Sequence, residues 1–379
     1  MKGTAIIAGA GIGGLTLAHA LARAGIEALV VERAPSLDAV GAGITVQSNA
    51  MTALRRIGLA DAVAAEGQEI VEGAFRTPSG RVLRNAGIDA AREIGEPIIA
   101  IHRARLHRVL LSAVGEDKVR LGRKVTGYRE DAEGVTATLE GGEEIRCALL
   151  VGADGLHSAV RKTLLGDEEP RYSGYTSWRG VCPEPSGFDA HLAGETAGRG
   201  ERFGVVPIGH GQVYWFAVAN APPGGHDAPD PRPRLRARFG RWHAPIPALI
   251  DATPPDAILR TDIRDRPPVS RWSSRRVTLL GDAAHPMTPN LGQGGCQAIE
   301  DAVVLAECLS RNGELPGALA AYEARRMARA NGMVTRAYEL GRMMQWQNPL
   351  LCAVRDVGLR MTPIATMQRT LRELLTFPE

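Results

Sequence analysis

What the chain lacks narrows the field first. Only five cysteines occur in 379 residues, at Cys147, Cys182, Cys296, Cys308 and Cys352, and no two form a Cys-x-x-Cys pair. That argues against a disulfide framework or a zinc site and for a reducing cytosol. No apolar run approaches the ~20 residues needed to span a bilayer. A strand-like run follows Met1 at once, leaving no room for a signal peptide. A cytoplasmic chain with no metal and no membrane partner is expected. Charge of one sign is missing too: Lys+Arg 45 against Asp+Glu 42 leaves +3, too balanced to draw nucleic acid. The sharpest basic stretch, Arg232 to Arg241, is rich in Pro and Arg and reads as a solvated surface loop. No internal repeat occurs at solenoid or propeller periods.

What the chain does have is glycine at three telling places. Gly9-Ala-Gly11-Ile-Gly13-Gly14 follows the apolar run 4–8. Leu15, Leu17, Ala18, Leu21 and Ala22 then recur at helical spacing, Gly25 marks a stop, and Ala28 to Val31 forms a second apolar run ending in Glu32. This is a complete βαβ opening. There Gly9 permits the tight bend, Gly11 lets the backbone approach a pyrophosphate, and Gly14 lets the helix pack on the strand. The bare N–H groups at the helix start bind phosphate oxygens. Glu32, with Arg33 beside it as a further cofactor contact, ends the second strand, where a carboxylate accepts ribose hydroxyls and repels a 2′-phosphate. An adenine dinucleotide follows; FAD and NAD both satisfy this turn.

The other two turns follow strand-like runs at Ala148–Val151 and Val277–Leu280. One is Gly152-Ala-Asp154-Gly155. The other runs from Gly281-Asp282 through His285 and Pro289 to Gly292-Gln293-Gly294-Gly295. Asp282 is placed to accept ribityl hydroxyls. Gly292, Gly294 and Gly295 open an apolar helix whose dipole offers ~0.3–2 kcal/mol to an anion. A reduced flavin carries its negative charge on such an edge. Taken alone, this turn reads equally well as a Gly-rich helix start capped by Asp282. Combined with the first turn, it decides for FAD.

The fold class expected is α/β: a discontinuous Rossmann-like FAD-binding domain over residues 1–70, 97–171 and 268–330. Alternating, aromatic-rich stretches at 172–182 and 202–219 suit an inserted antiparallel sheet, giving a β-rich substrate domain over 71–96 and 172–267. From Asp301 the chain looks helical, broken by Pro316, Pro349 and Pro363. A helical cap is expected over 331–379, with monomer and homodimer both compatible. Cys296 reads as a small buried filler, and His285 as a residue that orients its loop.

In their order and spacing these motifs resemble those of the group A flavoprotein monooxygenases, the family of p-hydroxybenzoate, salicylate and urate hydroxylases. The resemblance covers nearly the whole chain. Gly152 to Gly155 with Ser158 and Arg161 matches the family's Asp-Gly motif, which implies a cofactor role for Asp154. Ile101-His-Arg103-Ala-Arg-Leu106 matches a segment whose arginine lies by the cofactor, implying that role for Arg103. Gln47 and Asn49 sit in the stretch following the first βαβ unit, implying a cofactor contact at Gln47. The resemblance also implies the chemistry: NADH or NADPH reduces the flavin, dioxygen adds at C4a, and the hydroperoxide delivers one oxygen atom to a small aromatic or heteroaromatic substrate. A dehydrogenase or reductase of the same fold, and a non-enzymatic FAD protein, are the alternatives. Arg202 and Tyr214 line up with an arginine and a tyrosine used at the substrate in the urate hydroxylases. Packing alone is the competing reading for both. Pro289 is expected to wall the flavin ring.

Overall fold

A computed structural model describes residues 3–37, 42–87, 89–189, 192–227, 229–311 and 313–378. Short, all-buried strands build its first sheet. Ala5–Ala8 shows no exposed residue and is flanked in parallel by Leu149–Gly152 and Ala28–Val31. Val277–Leu279 and Val119–Arg120 complete the sheet on its two sides, again in parallel. Strands covered on both faces need no polar alternation, which explains the near-continuous apolar runs. Helix Ile12–Arg23 packs on this sheet and helix Gly294–Ser310 packs on that helix, both joining one large apolar core.

A second sheet has seven strands in the order Leu259–Asp265, Arg171–Pro183, Gln212–Asn220, Glu201–Pro207, Leu192–Ala197, Glu72–Arg76, Val82–Gly87. All its pairings are antiparallel except that of Leu192–Ala197 with Glu72–Arg76. Its central strands alternate. Val213, Trp215, Ala217 and Ala219 point into a core with Phe203 and Trp178, while Tyr214 and Phe216 stand half-buried on the other face. Period-2 alternation thus separates a packing face from a face available to a ligand. Glycine adapts that second face: a Cβ on Gly204 would lie 2.1 Å from the Phe216 ring, so the ring lies flat over its neighbour strand.

Two expectations need correction. The stretch expected as a basic loop contains a helix, Arg232–Phe239. Proline is tolerated in a first helical turn, where Pro233 sits, and Leu235 and Phe239, four apart, are buried in the sheet's core. Its arginines are neutralised in pairs: Arg232 with Asp230, Arg234 with Asp227, Arg236 with Asp251, Arg238 with Glu201. The boundary drawn at 330/331 falls inside one unbroken helix, Leu315–Met344, because strong helix formers run through it. Pro316 and Pro349 sit in first turns and Pro363 precedes Ile364–Leu375, so each proline starts a helix.

Of the expected cap, Met344 and Leu375 are buried. The helix Pro349–Met361 is turned the other way. It buries Cys352 and Arg355 and exposes Leu350, Val354, Val357 and Met361. Polar bonds set that orientation, since Arg355 donates to the carbonyls of Gly198 and Met344.

Candidate active site

Parallel pairing brings the three glycine turns together. The strands before them are neighbours in the sheet and point the same way, so all three turns leave from one edge. Gly9 has φ +105°, and a Cβ there would lie 2.4 Å from the Ala153 oxygen in the second turn. Gly14 is equally confined, at 2.0 Å from the Gly9 oxygen. Gly11 differs: nothing lies within 4 Å of the Cβ it lacks. An open backbone face thus fronts the start of Ile12–Arg23, which no side chain caps. Arg161 ties the second turn to the third by donating to the Ala283 and Ala284 carbonyls at 3.0 and 2.8 Å.

Glu32 braces the first turn, accepting from the Ala10 and Ala34 amides at 2.7 and 2.8 Å. Arg33 is exposed beside it. Asp154 accepts from the Ala159 amide at 2.8 Å, while its second oxygen is buried without a partner. Burial pushes that carboxyl's pKa up.

The third turn is fixed from beneath by a polar cluster. Gln47 donates to the Leu291 carbonyl at 2.9 Å and accepts from Gln293 at 2.6 Å, holding Gly292 at φ +65°. Asn49 continues the cluster to Gln293 and Glu300. The fully buried Arg326 pairs with both Glu300 and Asp301. His285 lies 2.5 Å from Asp301 and ties the loop to the helix behind it. Burial alone would raise the Asp301 carboxyl, yet the His285 and Arg326 charges hold it at about 2. Cys296 is buried below Gly292 with its thiol pushed up to about 12 by burial.

Above these turns lies a cavity of about 530 Å³, lined by Gly11, Arg103, Asp282, Pro289 and the Gly292, Gly294 and Gly295 backbone on one side. Asp282 is open to the cavity but ringed by protein, which raises its pKa against the pull of His285 and Arg103. Arg103 opens the helix Arg103–Val114, and its side chain makes no hydrogen bond or ion pair among the described residues. The opposite wall is the second sheet: Tyr214, Phe216, Arg179 and Arg202. Tyr214 packs its ring against Gly43, where a Cβ would come within 2.3 Å. Its phenol pKa is raised, chiefly by burial, with Arg179 pulling the other way.

Arg202 is almost wholly enclosed. It donates to Gln345 at 2.9 Å, Glu195 at 3.0 Å and Asn290 at 2.7 Å. The guanidinium therefore links the sheet, the Pro289–Leu291 turn and the end of the long helix.

A family model described as an FAD binding domain matches residues 2–337. The aurachin C monooxygenase/isomerase of Stigmatella aurantiaca is 55% identical over 99% of this chain and 98% of its own. The chain belongs to the FAD-dependent monooxygenases. The FAD-dependent urate hydroxylase of Klebsiella pneumoniae is 37% identical over 88% of each chain. The 2-heptyl-3-hydroxy-4(1H)-quinolone synthase of Pseudomonas aeruginosa is 34% identical over 98% of each. Klebsiella pneumoniae HpxO, solved with FAD and uric acid, superposes with a TM-score of 0.90 at 32% identity, over 98% of this chain and 96% of that one.

The monooxygenase's own residues fit FAD. The unfilled space at Gly11, the unpartnered Asp154 oxygen and the uncapped helix start at Gly294 all front or flank one cleft. Sequence reading missed Arg179, Phe216, Glu195 and Asn290. Alternation along Arg171–Pro183 carried a signal for Arg179, since Trp178 is buried on the packing face and its neighbour must point the other way.

Proposed function

We propose that this enzyme uses NADH or NADPH and dioxygen to place one oxygen atom on a small aromatic or heteroaromatic substrate. One observation carries this reading above all: a single cavity runs from the Gly292–Gly295 backbone to the Tyr214–Phe216 face of the second sheet. A ring lying on that face would sit against a flavin edge held at the turn. FAD, when bound, supplies the redox and oxygen chemistry. The rest falls to the chain. Gly11 and the start of Ile12–Arg23 present bare amides to phosphate oxygens. Asp282 is positioned to bind ribityl hydroxyls, and Arg103 adds an unpaired cation beside it. Gly294–Ser310 has no acid in its first turn, so its dipole favours an electron-rich flavin edge. Pro289, Met287 and Phe216 wall the cavity and limit water around the reacting atoms.

The relatives named for quinolone and urate chemistry support a ring-shaped, partly polar substrate. A screen of phenols, benzoates, quinolones and purine-like compounds tests the reading. The right substrate accelerates NADH or NADPH oxidation, and product mass shows one atom from labelled dioxygen. A flavin that neither nicotinamide bleaches without air refutes the nicotinamide requirement. A product free of label refutes oxygen transfer.

A further inference from the structure

At the substrate end of the cavity, the charged side chains are matched except for one. Glu195 is paired with Arg202 at 3.0 Å, and Asp262 lies 3.8 Å from Arg264. Arg103 and Asp282 belong to the cofactor turns. Arg179 is half-buried, lines the cavity, and makes no hydrogen bond or ion pair among the described residues.

Strand register fixes where it stands. Arg179 lies directly opposite Phe216 on one neighbouring strand and Leu259 on the other. Tyr214 is two residues from Phe216, so it shares that face, diagonal to Arg179. Its hydroxyl makes no hydrogen bond among the described residues, and its ring centroid lies 6.1 Å from that of Phe216. One free guanidinium and one free phenol thus flank an aromatic ring, with Val206, Val218 and Ile263 nearby on the cavity wall. A partly desolvated cation without a counter-charge is costly to keep, and an anionic ligand would relieve that cost with charge-assisted hydrogen bonds.

We propose that Arg179, and not Arg202, binds the substrate through an ionised ring oxygen, as on a phenol or an enolic heterocycle, with the Tyr214 hydroxyl as the second contact. This rests on the function proposed above and names the substrate class of that site. Arg202 gives three of its five N–H donors to protein and has its charge matched by Glu195, so we assign it the positioning of the sheet against the Pro289–Leu291 loop.

The test compares 4-nitrophenol with its methyl ether, 4-nitroanisole, on FAD-loaded protein, read by perturbation of the flavin spectrum. Native enzyme should bind the phenolate more tightly than the phenol or the ether. Arg179→Gln should weaken phenolate binding roughly 10- to 100-fold, the worth of a hydrogen bond to a charged group. It should leave the ether's affinity unchanged. Arg179→Lys should recover part of the loss. If the Gln variant does not hold FAD, Arg179→Met, which keeps an unbranched apolar stem, carries the same comparison. Equal losses for phenolate and ether would make Arg179 merely structural and overturn the proposal. So would unaltered phenolate binding in the variant, or native enzyme that binds neither form of the phenol. Failure of NADH and NADPH to reduce the flavin would sink the proposed function instead, while the binding comparison still reads Arg179.

Discussion

Gly11 and Gly14 lie three residues apart in one turn, yet alanine at each should fail in different ways. A Cβ at Gly14 would sit 2.0 Å from the Gly9 carbonyl oxygen, a backbone atom that cannot swing aside. Overpacking of that kind costs about 1–3 kcal/mol, against a helix gain of about 0.5–1 kcal/mol for Gly to Ala. The net loss is on the order of 1–2 kcal/mol, and it falls on the protein without cofactor. Gly11→Ala meets nothing within 4 Å, and its φ of −72° suits any residue. The apo fold should therefore hardly change. The new methyl would instead occupy the face a pyrophosphate must approach, costing one charge-assisted hydrogen bond of about 1.5–3 kcal/mol. FAD affinity should fall roughly 10- to 150-fold. Thermal melts of apoprotein, paired with FAD titration by flavin fluorescence, separate the two. Gly14→Ala should lower apo Tm by a few degrees, while Gly11→Ala leaves it in place and weakens FAD. A Gly11→Ala protein that binds FAD as well as native would refute the placement of the pyrophosphate at this turn.

Gly43→Ala would drive a methyl to 2.3 Å from the Tyr214 ring. Displacement of that ring should raise KM with FAD content kept, as checked by steady-state kinetics and flavin absorbance. Asp301 is held at about 2, below its ordinary 3.8, by His285 and Arg326. Its stabilisation is present above the unfolded pKa and is lost as pH falls from about 4 toward 2. Asp301→Asn should therefore be less stable at pH 7 and lose less on acidification, in urea melts at each pH; identical pH slopes would contradict this. All five cysteines are buried and free. Folded protein at pH 8 should resist alkylation, with the thiols reacting only in denaturant, counted by mass.

The parallel sheet and the glycine turns were legible because each is a local pattern: a short apolar run, a turn, a helix. The second sheet was legible as a type, since its central strands alternate over several residues. What escaped was anything set by partners far away in the chain. Arg202 reads as a free cation until Gln345 and Asn290, 143 and 88 residues away, are seen to hold it. Arg179 acquires meaning only when strand register sets it across from Phe216. The helix at Arg232–Phe239 was hidden by its prolines, which in a first turn do not forbid a helix. Its two buried residues, Leu235 and Phe239, were too few to display a period.

The three turns share one sheet edge, yet the segments that form it are made far apart in time. Ala5–Ala8 waits for Leu149–Gly152 to pair along one side, and that strand in turn waits for Val277–Leu279. A ribosome must therefore deliver most of the chain before the cofactor cleft exists. Until then the nascent first strand has only Ala28–Val31 beside it and offers FAD one grip of three. Cofactor capture thus belongs to the end of folding, when ligand binding can stabilise only chains that have closed the sheet. FAD supply would then act as a check on completed molecules and not as a nucleus for new ones.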